Sequence, residues 1–315
     1  MSKTDIKEVI MIGAGPSALA AAVYTTREDI DTTLYEKATI GGMAAITDKV
    51  DNYPGFPEGV EGMKLAELLE KQATRFGALV DFGEASALRD EGDYKVLTID
   101  GKEVKAKAVL VATGSDYKKI GVPGEAEAYG RGVHYCATCD GAFYRDKKLV
   151  VIGGGNSAVQ ETLFLTRYAS HIDLLVRSTI KASEILQKDL QKFVDEGKVT
   201  IHLAATTDEI VLDEFGRVTS VKVTKDGSPM EIKTDGVFVF VGLKPNTEFL
   251  QNSGVELDEI GLVKTNEKLE TSVPGVFASG DVRSGATMQI ASAVGEGAAA
   301  ALSIREYLEE KNRQG

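Results

Sequence analysis

A chain of 315 residues is long enough for two domains, each with its own buried core. Its 48 acidic against 36 basic residues leave a formal charge of −12. No basic stripe offsets this, which excludes wrapping nucleic acid or settling on an anionic membrane surface. No apolar run approaches a membrane span, and Met1-Ser2-Lys3-Thr4-Asp5 leads to a strand without a secretory apolar segment. With only two cysteines the chain is no disulfide-stapled extracellular scaffold, so a cytoplasmic protein is expected.

The first predicted element is a short apolar strand, Glu8-Val9-Ile10-Met11-Ile12. It runs into Gly13-Ala14-Gly15-Pro16-Ser17-Ala18, and the apolar stretch from Leu19 to Tyr24 continues as a helix. A G-x-G-x-x-A run between strand and helix is the context of a dinucleotide fingerprint. Gly13 makes the tight turn, Gly15 lets the backbone approach a pyrophosphate, and Ala18 lets helix and strand pack closely. The next strand, Thr32-Thr33-Leu34-Tyr35-Glu36, ends in an acid where a ribose 2′-hydroxyl needs an acceptor. Alternating residues at Tyr94–Ile99 predict a small antiparallel meander, and Ala108–Val111 a late strand that closes on Ala112-Thr113-Gly114.

Cys136-Ala137-Thr138-Cys139-Asp140 follows. Two intervening residues bring both sulfurs onto one helical turn, within reach of a reversible disulfide. A helix N-terminus would favour the thiolate, and Asp140 can supply or take the proton. Half a zinc site is the competing reading, but there is no second cysteine pair and no H-x-x-x-H. A redox dithiol is the expectation, with no metal. His134 lies two residues before Cys136 and invites a catalytic role. Phe143 is a candidate grip for a partner protein or else a core aromatic.

The glycine pattern then repeats 140 residues on. Leu149-Val150-Val151-Ile152 leads into Gly153-Gly154-Gly155-Asn156-Ser157-Ala158, a helix through Leu165, and a strand at Ile172–Val176. This second strand ends in Arg177-Ser178 with Lys181 nearby and no acid, a set that suits a 2′-phosphate. Opposite charge at the two ribose positions implies two different dinucleotides. A second meander is expected around Val218–Val223 and a closing strand at Val237–Val241 before Gly242. The expected fold is α/β: two Rossmann-like three-layer ββα nucleotide-binding domains, the second inserted into the first. Boundaries fall at 1–114 plus 247–315 for the first and 115–246 for the second. The small-residue stretch Ala286–Leu302 follows a phosphate-facing turn at Gly280-Asp281, and the last six residues, Glu310–Gly315, are expected to fray.

In order along the chain, these motifs spell out a resemblance. Gly13-Ala14-Gly15-Pro16, Asp51-Asn52-Tyr53-Pro54-Gly55-Phe56, Ala112-Thr113-Gly114, Cys136–Gly141, Gly153–Ala158 and Thr271–Val282 resemble the low-molecular-weight thioredoxin reductases, from Val9 to about Leu308. The resemblance implies an FAD site at Gly13, Gly15, Pro16, Ser17, Glu36, Gly41, Gly42, Met43, Asn52, Thr113, Gly114, Gly280, Asp281, Gln289, Ile290 and Ala291. It implies a nicotinamide nucleotide at Gly153, Gly155, Asn156, Ser157, Arg177 and Lys181. It further implies that Cys139 faces the flavin, that Cys136 attacks a thioredoxin or thioredoxin-like substrate, that Asp140 exchanges the proton, and that the protein is a homodimer. It gives His134 no role.

The chain departs from the family's pattern in three places. Met43 stands where the family has Gln, Met288 where it has Arg, and Val176-Arg177-Ser178 with Lys181 replaces a more basic signature. NADPH is the expected donor, with NADH or ferredoxin as alternatives. A dithiol oxidase that uses oxygen and a non-catalytic redox-sensing flavoprotein are the rival readings.

Overall fold

The computed structural model describes residues 6–47 and 49–314. The expectation for Met1–Asp5 lies outside the described residues, as does Gly315. The chain divides into two compact units, Met1–Asp116 with Lys244–Gly315, and Tyr117–Leu243. The sequence placed the crossings two or three residues away, at 114/115 and 246/247. Asn246 explains the difference at the second crossing. Its N–H donates to Gly114 O (3.1 Å), its amide donates to Thr113 O (3.1 Å), and its own carbonyl accepts from Thr113 Oγ1 (2.7 Å). These bonds tie the returning chain to the first unit before any linker composition ends.

In the first unit the strand Ile6–Ile12 is central, flanked by Thr32–Glu36 and Lys102–Val111, both parallel to it. Leu79–Phe82 extends one edge in parallel, and Lys95–Ile99 with Ala85–Asp90 extends the other as an antiparallel meander. Val276–Ala278 pairs with the C-terminal end of Lys102–Val111. The period of two decides which residue goes where. Val9 and Met11 join the core under the helices, while Ile10 and Ile12 join the core on the opposite face with Leu88 and Leu97. Burying a side chain of this size contributes roughly 1.5–3 kcal/mol, and each face of the strand carries two.

The helix Pro16–Thr26 starts on Gly15 with proline at its first position, where no N–H is needed. Its small residues Ala18, Ala21 and Ala22 bring it against the helix Ile290–Gln314. That last helix corrects an expectation, because it continues through Gln314 instead of fraying at Glu310. Lys311 pairs with Asp93 (3.6 Å) and Arg313 with Glu309 (3.4 Å), placing cations at the negative end of the helix dipole.

The second unit repeats the plan. Its sheet is wholly parallel, in the order Val133–His134, Gly236–Val239, Lys148–Ile152, His171–Leu175, Val199–His202. Leu149 and Val151 face the helices Asn156–Leu165 and Glu184–Asp195. Val150 and Ile152 face the meander Ala205–Leu212, Val218–Lys225, Ser228–Lys233, through Ile210, Val221, Val223 and Ile232. Each unit is thus a three-layer ββα sandwich of Rossmann type, the second inserted into the first.

Candidate active site

The dithiol lies in the second unit, just after the edge strand Val133–His134. Cys136 keeps an extended backbone (φ −139°) and caps the single helical turn Ala137–Asp140. Its Sγ accepts the backbone N–H of Cys139 at 3.2 Å and lies 3.4 Å from Thr138 Oγ1. The two cysteines are joined as a disulfide, with Cα atoms 5.4 Å apart. Cys139 is exposed and Cys136 half-buried. No cluster of potential metal ligands occurs among the described residues. Phe143 is 55 % exposed, so of its two expected roles the core aromatic is ruled out.

At the C-terminal ends of the parallel strands the first unit carries two adjoining clefts of about 280 Å³ each. Gly13, Glu36, Lys37, Thr113, Asp116 and Asn246 border both. The turn at Gly13 needs glycine twice over: φ is +98°, and a Cβ would sit 2.5 Å from Ala112 O. Glu36 is buried, with Oε2 accepting from Ala14 N–H (2.8 Å) and Oε1 from Ala38 N–H (2.9 Å). Ser17 and Ser279 join their hydroxyls at 2.6 Å, and the Gly280 N–H donates to Glu296 (2.8 Å). Asp281 Oδ1 is buried with no hydrogen-bond partner. Burial, and then the charge of Glu296, pushes the Asp281 carboxyl up to about 6.

The second unit has a cleft of about 610 Å³ at the equivalent place. Gly153, Gly154, Gly155, Asn156 and Ser157 line its floor. Arg177, Lys181, Lys118 and Lys119 line it as well. Among the described residues neither Arg177 nor Lys181 forms an ion pair with a carboxylate, an arrangement that leaves both charges in the cleft for an anion. Asn156 is committed to the fold, its Oδ1 accepting from Ser183 N–H at 2.8 Å.

The model of the family described as "Pyridine nucleotide-disulphide oxidoreductase" matches residues 7–297. The chain is 44 % identical over 313 residues to a thioredoxin reductase of Bacillus subtilis (strain 168), covering 98 % of this chain and 97 % of that one. It is 37 % identical to a thioredoxin reductase of Treponema pallidum (strain Nichols), covering 96 % and 97 %. Among solved structures it is similar to thioredoxin reductase from Streptococcus pyogenes MGAS5005, with a TM-score of 0.91, 34 % identity, and 98 % and 100 % of the two chains covered. The chain belongs to the pyridine nucleotide-disulphide oxidoreductases.

With its dithiol in place and thioredoxin reductases as its relatives over nearly the whole chain, this protein is an FAD-dependent disulfide reductase of the kind that uses NADPH. The residues present fit both groups. Gly15 has nothing within 4 Å of the position a Cβ would take, so the bare backbone borders open cleft where a pyrophosphate needs it. The orphaned Asp281 oxygen offers an acceptor to a ligand hydroxyl. In the second unit the cations suit a nucleotide carrying an extra phosphate.

Of the residues expected around FAD, Gly13, Gly15, Pro16, Ser17, Glu36, Gly42, Met43, Thr113, Gly114, Gly280, Asp281, Gln289 and Ile290 line the cleft. Three do not. Gly41 turns the chain beneath it, donating to Ala14 O at 2.8 Å. Asn52 donates to Gln289 Oε1 at 3.0 Å and so holds a lining residue. Ala291 is exposed and Ala293 lines the cleft instead, since the helix begins at Ile290 and turns Ala291 outward. Sequence reasoning missed Lys37, Ser279 and Asn246 in the first unit, and Lys118 and Lys119 in the second. The lysine pair, four residues after Gly114, was a visible signal; Asn246 was not, because its role comes from a crossing chain.

Proposed function

We propose that this reductase acts on the disulfide of thioredoxin or a thioredoxin-like protein, with electrons from NADPH passing through FAD. The observation that carries the reading is the Cys136–Cys139 disulfide, capped by its own helix N–H in a chain 44 % identical to a named thioredoxin reductase. On this reading the first unit holds FAD and the second holds NADPH. Bound FAD supplies the two-electron relay between nicotinamide and dithiol.

The protein's own residues do the sulfur chemistry. In the reduced state Cys136 is the thiolate and Cys139 the thiol. Cys136 Sγ attacks one sulfur of the substrate disulfide, forming a mixed disulfide and releasing one substrate thiolate. Asp140 takes the Cys139 proton as Cys139 Sγ attacks Cys136 Sγ. The second substrate thiolate leaves and receives that proton from Asp140. One disulfide is consumed and one is formed, and a single proton is conserved throughout. Phe143, exposed beside the dithiol, contacts the partner protein.

No observation favours NADH, ferredoxin or oxygen as the redox partner, or a sensor without turnover. No helix among the described residues is long and apolar enough to cross a membrane. From its likeness to bacterial thioredoxin reductases we place the enzyme in the cytoplasm, as a homodimer. The test is turnover of thioredoxin with NADPH, NADH and reduced ferredoxin compared side by side. Cys136→Ser and Cys139→Ser should each keep bound FAD and lose thioredoxin reduction; turnover in either variant removes the dithiol from the reaction.

A further inference from the structure

One buried group next to the dithiol has no part in the mechanism so far. His134 ends the edge strand of the second unit and is 6 % exposed. Its ring stacks on Phe238, with centroids 5.1 Å apart, and meets Tyr144 edge-on at 5.3 Å. Both ring nitrogens are engaged: Nδ1 lies 3.1 Å from Asp140 Oδ2, and Nε2 lies 2.7 Å from the Tyr144 hydroxyl. A buried imidazole with this pair of partners is more than a satisfied core residue, because one partner is the acid that follows Cys139.

We propose that His134 is a positioning residue for the dithiol reaction, holding the Asp140 carboxylate through Nδ1–H in a tautomer that Tyr144 selects. The inference rests on the proposed role of Asp140 as the proton exchanger and deepens it.

A neutral imidazole has one donor and one acceptor nitrogen, and the hydrogen bond at one fixes the proton on the other. Burial, and then the charges of Asp140 and Asp235, pushes the Tyr144 phenol well up, so it keeps its proton. A phenol that donates to Nε2 leaves the imidazole proton on Nδ1, aimed at Asp140 Oδ2. The Tyr144 O–H, the His134 ring and the carboxylate then form one directed chain. One carboxylate oxygen, Oδ2, is committed to His134, and the other is left for the exchanging proton.

Phe238 covers one face of the ring and Tyr144 meets it edge-on, which holds it in place. The same logic orients a histidine beneath an acid or base elsewhere in enzymology, where the third group acts by holding the second. Here the order is reversed: the histidine is the holder and the carboxylate does the exchange. In the substrate half-reaction the proton leaves Cys139, rests on Asp140 and passes to the departing substrate thiolate. His134 keeps its own proton throughout, so the balance of atoms and electrons is unchanged.

The experiment uses the FAD-loaded enzyme and separates the two half-reactions. The first, fast phase of flavin bleaching by NADPH precedes electron arrival at the dithiol and so does not involve its proton; turnover of thioredoxin does. His134→Phe keeps the stack on Phe238 but removes both nitrogens. It should bleach within about twofold of the parent and lower kcat for thioredoxin about tenfold, with KM within about twofold, a fraction of what a full acid–base group contributes. His134→Gln, which can still donate to Asp140, should recover most of that loss. Tyr144→Phe guards against a folding failure at position 134.

A spectroscopic readout is available because the chain has only three histidines. In protein labelled with ¹⁵N-histidine, His134 should show a protonated Nδ1 and a bare Nε2, and Tyr144→Phe should scramble that pattern. Full turnover in His134→Phe, or a protonated Nε2 in the parent, overturns the proposal. Asp140→Asn separates the two levels. If it impairs the substrate half-reaction while His134→Phe does not, only the positioning role falls. If it has no effect, the Asp140 role falls and this inference with it.

Discussion

The backbone N–H of Cys139 donates to Cys136 Sγ across 3.2 Å, so the two active sulfurs are not equivalent. Cys136, as the cap of the Ala137–Asp140 turn, has an N–H aimed at its sulfur, whereas Cys139 sits at the third position of that turn. A hydrogen bond to the charged form favours it, and the local N–H groups add to the effect. On the proposed mechanism this is why Cys136 is the thiolate of the reduced pair. With the enzyme reduced and then pulsed with iodoacetamide, peptide mapping should find Cys136 alkylated at least about tenfold faster than Cys139. Equal labelling, or faster labelling of Cys139, would reverse the assignment of the attacking sulfur.

Nucleotide preference should reside in two side chains. Arg177 and Lys181 line the second-unit cleft without acid partners. A charge-assisted contact contributes about 1.5–3 kcal/mol, roughly tenfold or more in binding. Arg177→Ala should therefore raise KM for NADPH by about tenfold and leave KM for NADH within about twofold. The double variant with Lys181→Ala should bring the two nucleotides nearly level. Should both KM values rise together, the cations would be serving the pyrophosphate and not a 2′-phosphate.

The Asp281 carboxyl gives the unliganded protein a pH dependence of definite sign. Its folded value is raised from 3.8 to about 6 by burial and by Glu296. An acid whose folded pKa exceeds its unfolded one binds more protons when folded, so stability falls as pH rises from about 4 to about 6 and stays reduced above that. The difference corresponds to roughly 3 kcal/mol at neutral pH. Asp281→Asn should accordingly stabilise the FAD-free protein at pH 7.5, with little gain at pH 4.5, while weakening FAD binding. Thermal melts of apo-protein at the two pH values measure the first, and flavin retention on gel filtration the second. A variant that is less stable at pH 7.5 would contradict the buried-charge account.

Much of this was legible in the sequence for a physical reason. Gly13 and Gly153 mark equivalent turns, each with positive φ and each with a carbonyl, Ala112 O or Phe240 O, where a Cβ would go. A constraint that only glycine can meet writes itself into the chain, and so does strand alternation at Val9–Ile12 and Leu149–Ile152. What stayed hidden depends on chain segments far apart in sequence. Asn246 reaches Thr113 across 133 positions, and Asn52 reaches Gln289 across 237. His134 was visible as a residue, but its value lies in Tyr144 and Phe238 meeting its ring, which no local pattern announces. The outward turn of Ala291 depended on where the last helix begins, a boundary that propensity fixes poorly.

Gly13 and Gly15 stand two residues apart and should fail in different ways. At Gly13 the left-handed backbone and the 2.5 Å approach to Ala112 O make alanine unacceptable to the fold itself. Gly13→Ala should lower the stability of the FAD-free protein by about 2 kcal/mol or more, the sum of backbone strain and a displaced carbonyl. At Gly15 the backbone is ordinary (φ −75°) and nothing lies within 4 Å of the added methyl. Gly15→Ala should leave the apo-protein's melting within about 0.5 kcal/mol of the parent, because it fills only the cleft. Its effect should appear in flavin affinity, reduced at least about tenfold, since the methyl takes the place where the pyrophosphate meets the backbone. Melting curves and FAD titration on the two variants separate these outcomes. If Gly15→Ala binds FAD as tightly as the parent, the cleft beside Gly15 is not where the cofactor's phosphates lie.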